Sequence, residues 1–408
     1  MTQKEALAII HSGQSVLLTG AAGSGKTYVL NKFIRSAKAN GKSIAVTATT
    51  GLAATHLNGT TIHSWAGIGI HDSLPQGHII KMSKQRRDLI SKADILVIDE
   101  ISMLHDFRLD MIETVCRQVR ENDKPFGGLQ VVLSGDFYQL PPINRADSKQ
   151  GGFITSSAVW QNEIFKVCYL SEQHRHKSDQ TYADILNGIR AGMLTRNQLD
   201  LLNSRGHDLG EQDTEITKLL TTNIDVDSIN YRHLSQLKDA SQEYAMFTSG
   251  SKKYVDNLKR SCLAPDVLEL KIGARVMCIK NSADKKFVNG TLGVVEGFEQ
   301  GTNYPKIRVT SGRLITIKPD TWELIDGDKL RASLTQIPLR LAWAITVHKS
   351  QGMTLDAARI DLSKAFVEGM GYVALSRVRS IEHLELDGLN GMALRVSPDA
   401  MQIDAELR

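Results

Sequence analysis

Along this chain, short runs of consecutive apolar residues alternate with segments whose apolar positions recur every three or four residues. Residues 15–19 (Ser15-Val16-Leu17-Leu18-Thr19), 43–48, 94–98 and 129–134 are continuous runs without strict alternation. That is the pattern of strands buried on both faces of a parallel sheet. Between the first two, residues 28–37 place Val29, Leu30, Phe33 and Ile34 at helical spacing, and residues 52–57 form a small-residue helix. Strands alternating with helices predict an α/β fold with a parallel sheet. A second regime covers 274–279, 293–298, 306–309, 313–317 and 321–324, short alternating runs separated by turn residues such as Asn289-Gly290. This predicts a small β-barrel. A third stretch, 66–93, is polar and carries Lys81, Lys84, Arg86, Arg87 and Lys92. Lying between two buried strands, it predicts a surface insertion whose charged face is either solvated or used for binding.

Composition narrows the class. A length of 408 residues suggests two to four domains. Hydrophobic and charged contents of 41% and 23% argue against a disordered or membrane-embedded chain. The net charge of +4 favours an acidic partner only weakly. Cys116, Cys168, Cys262 and Cys278 lie too far apart for a metal-type pair and read as reduced thiols. The N-terminus has no signal-peptide pattern, and no apolar run reaches membrane-spanning length.

The chemistry centres on Gly20-Ala21-Ala22-Gly23-Ser24-Gly25-Lys26-Thr27, which follows a strand run and opens a helix. In that context the glycines let backbone N–H groups converge on a phosphate, and the helix N-terminus adds its dipole. Lys26 is expected on the β- and γ-phosphates and Thr27 on Mg²⁺. The run Ile95-Leu96-Val97-Ile98 ends in Asp99-Glu100, as a central strand delivers acids to its C-terminal edge. Asp99 then completes the Mg²⁺ shell and Glu100 orients or deprotonates the attacking water. Gln139, at another strand exit, can hydrogen-bond both γ-phosphate and water. Gln3 offers the donor and acceptor that an adenine edge needs, though a lone Gln is equally at home in solvent. The hydroxyl clusters at Thr49-Thr50 and Thr60-Thr61 suit phosphate contacts, but turns and caps use the same residues. Arg175 and Arg377 could supply charge to phosphoryl transfer from a second domain, or simply lie on the surface.

Together, G-A-A-G-S-G-K-T, T-T-I-H-S-W, V-I-D-E-I-S-M-L, G-D-F-Y-Q-L-P-P, H-K-S-Q-G-M-T and A-L-S-R resemble superfamily-one helicases. More narrowly they resemble the PIF branch, the petite-integration-frequency helicases related to RecD and Dda. The resemblance covers residues 3 to about 390. It implies an α/β fold of two RecA-like P-loop NTPase domains. The first would comprise 1–65 and 94–170, with 66–93 as a wedge. The second would comprise 171–245 and 340–408, with 246–339 as an insertion holding an SH3-like β-barrel. It further implies ATP and Mg²⁺ as cofactors and 5′→3′ DNA helicase activity. The partners implied are single-stranded DNA and duplex junctions, with G-quadruplex DNA as a further target. Roles in repair, recombination and telomere maintenance also belong to that family. By similarity Gln3 reads adenine and Arg175 and Arg377 face the γ-phosphate. Gly20 through Tyr28 and Gly352 surround the nucleotide. Thr49, Thr61, His63, Thr346, His348 and Lys349 match motifs that touch single-stranded DNA.

The sequence departs from the family at His176, where Gln is common, and at Arg86-Arg87, where arginine and an aromatic are expected. Large flanking extensions and a mitochondrial leader are lacking, so a monomeric bacterial or phage core in the cytoplasm, nucleoid-associated, is expected. Between Trp65 and Phe107 there is no Phe, Tyr or Trp. The wedge must therefore obstruct by shape, around Leu74-Pro75 and His78, rather than by stacking. Two other classes remain open at this stage: a nucleotide-switched binding module, and a recombination-nuclease subunit like RecD.

Overall fold

In a computed structural model of the chain, the described residues are all except 58, 70, 145–147, 163, 207–215, 263, 283, 285, 288, 310–311 and 327–328. Six strands build the first sheet: β1 (Val16–Gly20), β2 (Ile44–Ala48), β3 (Thr60–Thr61), β4 (Ile95–Asp99), β5 (Gln130–Gly135) and β6 (Lys166–Leu170). Their order is β3-β2-β4-β5-β1-β6, and every pairing is parallel. β1 and β4 are buried at every position because helices cover both faces, which is why they read as unbroken apolar runs. All C-terminal strand ends lie along one edge, so the loops after β1, β4 and β5, the sheet's centre, meet there.

A second, four-stranded parallel sheet orders Ala344–Thr346, Lys218–Leu220, Ala358–Leu362 and Leu384–Leu389. Between its first two strands in sequence lies the β-rich insertion. Five antiparallel strands follow the order Leu314–Thr316, Pro305–Val309, Leu292–Phe298, Arg275–Cys278, Leu339–Leu341. The expected fifth barrel strand at 321–324 is not among them. It belongs to Asp320–Asp326, which pairs with Lys329–Gln336 and, through it, shares a separate three-stranded sheet with Phe247–Gly250. Its partner strand begins only three residues later in sequence, so local pairing wins over a longer return to the barrel. Val255 and Leu258 of the helix Lys252–Ser261 pack on that sheet with Ala332 and Leu334. The strand Gln242–Ala245 also pairs inside the insertion, with Val267–Leu270, and Leu339–Leu341 completes the five-stranded sheet. These pairings favour an insertion running from about 242 to 341 over one bounded at 246 and 339.

The basic stretch 66–93 carries the short helices His78–Lys81 and Lys84–Lys92. Ile68 and Ile90 anchor it to the first core, and Arg108 binds Asp72 at 3.3 Å. Ile80 and Leu89 are left exposed. The side chain of Lys81 lies outside the described residues.

A buried polar knot joins the two parallel-sheet units. Arg190, in the helix Gln180–Ala191, donates to both carboxylate oxygens of Asp136, at 2.8 and 3.0 Å, just after β5. It also donates to Asp404 (3.2 Å) in the C-terminal helix and lies 4.1 Å from the Tyr138 ring centroid. Burial alone would raise the Asp136 carboxyl, but Arg190 and then Lys26 outweigh it and hold it below the usual carboxylate range. Arg190→Ala would leave that carboxylate buried and unpaired. We expect a loss of about 3–5 kcal/mol, read as a lower denaturant midpoint. Because the folded carboxyl is depressed, the pair's contribution is present at neutral pH and fades as pH falls through the folded pKa, below the usual range.

Candidate nucleotide site and strand-binding edge

The phosphate loop is shaped by residues with no room for side chains. At Gly23 (φ +86°) a Cβ would lie 2.5 Å from Gln173 Oε1 and 2.6 Å from Arg175 Cβ. At Gly25 (φ +90°) it would collide with the Gln3 amide. Gln3 Nε2 instead donates to Ser24 O at 3.1 Å, so this residue props the loop from behind. The helix Lys26–Ala39 has no side-chain cap at its N-terminus, which leaves its first amides available to an anion. Lys26 Nζ donates to Gly20 O (2.8 Å) and Ala21 O (3.1 Å).

A cavity of about 370 Å³ opens beside the loop, lined on the first unit by Ala22, Gly23, Gly25, Lys26, Thr27, Asp99, Glu100 and Gln139. Segments beyond β6 supply His174, Arg175, Gly352, Thr354, Arg377 and Arg379. Of the residues expected at the nucleotide, Gln3, Gly20, Ala21, Ser24 and Tyr28 are not part of this lining; Tyr28 lies exposed on the helix and Ser24 is buried.

Three of the cations that line the cavity, Lys26, Arg175 and Arg377, have neutral acceptors in place of carboxylates. Arg377 is 1% exposed and donates to Val373 O, Met353 O, Ser350 O and Ser376 Oγ. Arg175 donates to Ser376 O at 2.7 Å. Burial, and then the neighbouring Arg377, push Arg175 down to about 9. Burial lowers Lys26 and Arg377 as well, with nearby carboxylates offsetting part of it. Opposite them, burial and then the adjacent Asp99 push Glu100 up to about 7, and burial raises Asp99. Desolvated cations bonded only to dipoles fit an incoming polyphosphate. Thr27 and the buried Asp99 are a donor set that fits Mg²⁺ beside it.

Glu100 itself adopts a left-handed backbone (φ +55°) that turns its side chain off the end of β4. Two contacts hold it. Thr49 Oγ1 donates to its carbonyl at 2.8 Å, and Gln351 Nε2 donates to its carboxylate at 3.0 Å. Gln351 also donates to Gln139 Oε1 at 3.3 Å. The sequence pattern singles out neither Gln351, inside the H-K-S-Q-G-M-T motif, nor Asp136, Arg190 and Tyr372. Periodicity marks such polar residues as loop or helix surface, and only the tertiary fold shows them buried.

The six residues expected on single-stranded DNA divide between two sheet edges. Thr49 and Thr61 follow β2 and lie in β3, at the end of the first sheet, and Ala48 pairs with Thr61. Thr61 Oγ1 accepts from Ser64 N–H as a helix cap. His63, near Arg108, is pushed down to about 4 chiefly by burial and is neutral at physiological pH. Thr346 ends the edge strand of the second sheet, and His348 and Lys349 follow it. Thr346 Oγ1 accepts from Lys349 N–H, His348 stacks on Phe366 at 6.2 Å, and Lys349 Nζ donates to Asn223 at 2.8 Å. At the departure from the family pattern, His176 is fully buried, bonded to Val378 O and edge-on to Tyr182.

Two parallel sheets, a phosphate loop with an acid pair on one, and arginines brought across from the other unit define a two-domain P-loop NTPase with RecA-like cores. The chain belongs to the PIF1-like helicases: it matches that family over residues 2–199 and the DNA helicase Pif1 2B domain over 253–298. It is 41% identical to the ATP-dependent DNA helicase Pif1 of Psychrobacter sp., across all of this chain and 71% of that protein. It is 34% identical to that of Bdellovibrio bacteriovorus across 98% of this chain and 90% of the relative, and 36% to human PIF1 across 100% and 63%. Among solved structures it superposes on Pif1 helicase from Candida albicans with TM-score 0.85, at 33% identity over 100% and 98% of the two chains. For Bacteroides sp. Pif1 in complex with ADP-AlF4 the TM-score is 0.83 (32% identity, 99% and 96%). For Bacteroides Pif1 bound to ssDNA it is 0.72 (33% identity, 99% and 95%).

Lys26→Ala should abolish ATP turnover, and Glu100→Gln should keep nucleotide binding while losing turnover. Titration with a fluorescent ATP analogue beside steady-state phosphate release separates the two outcomes. Near-normal turnover in either variant would sink these site roles.

Proposed function

We propose that this chain is an ATP-dependent DNA helicase that moves 5′ to 3′ along single-stranded DNA and unwinds duplex, with G-quadruplex DNA within its range. The observation that carries this reading is one cavity shared by the phosphate loop, Asp99-Glu100 and the distant Arg175 and Arg377. Lys26 and the loop amides hold the β- and γ-phosphates, and Thr27 and Asp99 hold Mg²⁺. The metal, when bound, neutralises charge on the phosphate oxygens. Glu100 and Gln139 orient the attacking water, and Glu100 accepts its proton. Arg175 and Arg377 stabilise the developing negative charge, and as they come from segments beyond the first sheet, nucleotide state sets how tightly the two units close. Thr49, Thr61, His63, Thr346, His348 and Lys349 grip the strand at the two sheet edges, and alternation of the two grips moves the protein.

Among the described residues no helix is long and apolar enough to cross a membrane. The reading places the protein in the cytoplasm as a monomer acting on DNA in replication, repair or recombination.

Directionality is tested with matched duplexes bearing either a 5′ or a 3′ single-stranded tail. Unwinding should require the 5′ tail, and equal rates on both would refute the polarity. A second outcome follows from Lys349, whose ammonium is pushed down to about 8 by burial and the nearby Arg340. Its charge is present below that pH and lost above it. Affinity for single-stranded DNA should therefore fall as pH rises through about 8, and Lys349→Arg, which stays charged, should flatten that dependence in fluorescence anisotropy.

A further inference from the structure

Among the side chains that touch the phosphate loop, Tyr372 links it to the far unit and has no part in the proposed mechanism. Tyr372 is 1% exposed, and its hydroxyl accepts from the backbone N–H of Ala22 at 2.8 Å. The same oxygen donates to Asp136 Oδ2 at 3.0 Å and accepts from Arg190 Nη1 at 3.0 Å. One donor and two acceptor positions are thereby filled, so the hydroxyl is fixed in direction. Burial raises its pKa, so it stays a phenol. On the other side of Ala22, Gln173 Nε2 donates to the carbonyl at 3.0 Å.

Tyr372 belongs to the short helix Met370–Leu375, which runs directly into Ser376 and Arg377. Arg377 Nε returns to bond Val373 O at 2.7 Å, so arginine and tyrosine are carried by one rigid turn. The distance from the phosphate loop to Arg377 is therefore set by how firmly this turn is pinned to Ala22. We propose that Tyr372 is a positioning residue for phosphoryl transfer: its hydroxyl, clamped by Asp136 and Arg190, pegs the phosphate loop to the turn that carries Arg377.

The inference rests on Arg377 acting at the transferred phosphate, and a double-mutant cycle separates the two ideas. Tyr372→Phe keeps the ring and removes only the hydroxyl. In the otherwise intact enzyme, turnover at saturating ATP and single-stranded DNA should fall by about tenfold, while KM for ATP moves less than threefold. Arg377→Ala alone should lower turnover by about 10³. In the Arg377→Ala background, single-turnover hydrolysis should lose less than a further twofold on adding Tyr372→Phe, because the peg then has nothing to position. Equal losses in both backgrounds, or normal turnover in Tyr372→Phe, would overturn the positioning role while leaving the arginine role intact. Normal turnover in Arg377→Ala alone would overturn the arginine role and this inference with it. Asp136→Asn, which preserves shape and weakens the clamp, should show the same kcat-selective, non-additive loss. A loss confined to thermal stability in that variant would count against the peg.

Discussion

The pair of Asp136 and Arg190 is the constraint around which the catalytic cleft is arranged. A cleft between two domains that must hold a polyphosphate has to gather positive charge, and positive charge gathered without anions pushes the domains apart. Arg175, Arg377 and Lys26 all line the same cavity. Coulombic repulsion between two such charges a few ångströms apart reaches several kcal/mol at the dielectric of a protein surface. Attraction elsewhere helps to hold the domains together. Arg190 supplies it by crossing from the second unit to the carboxylate just after β5, with Asp404 and the Tyr138 ring completing its surroundings.

This arrangement also explains why the acids and bases of the cleft are balanced as they are. Glu100, directly after Asp99 at the end of β4, is pushed up to about 7 by burial and then by Asp99. Asp136, a third carboxylate near Lys26, would compete with phosphate for that lysine if Arg190 did not occupy it. Lys26 then bonds only carbonyls, which a phosphate can displace more readily than it could displace a salt-bridged carboxylate.

Much of this was legible in the sequence. The unbroken apolar runs at 15–19, 94–98 and 129–134 predicted β1, β4 and β5, because a strand buried on both faces must be apolar throughout. Where each run stopped, Lys26, Asp99-Glu100 and Gln139 followed, and the fold brings these to one cavity. The barrel was legible strand by strand but not in its pairing, since 321–324 has the same alternation whether it closes a barrel or a hairpin. Arg190 and Tyr372 were hidden for a different reason. Each sits among apolar residues at helical spacing, and the pattern says which face is buried but not which distant carboxylate waits there. Thr61 shows the reverse ambiguity: a hydroxyl that suits a phosphate is also a helix cap, and the cap contact is present with no strand bound.

On the proposed reading, strand grip and hydrolysis share atoms at Glu100. Thr49, at the end of the first sheet where the strand is gripped, donates its hydroxyl to the Glu100 carbonyl, and its N–H bonds the carbonyl of Asp99. Gln351 lies two residues beyond Lys349 in the chain and donates to the Glu100 carboxylate. Both edges that face DNA thus terminate on the residue that orients the attacking water, one through its backbone and one through its side chain. A residue held in a left-handed conformation has few alternative positions, so a small shift in either contact redirects the carboxylate rather than being absorbed by the turn. DNA bound at either edge would then bear on water orientation through contacts other than those that Tyr372 and Gln173 make with the phosphate loop. On that reading the loop is pinned from one side and the acid steered from another, so nucleotide binding and hydrolysis can answer to different contacts.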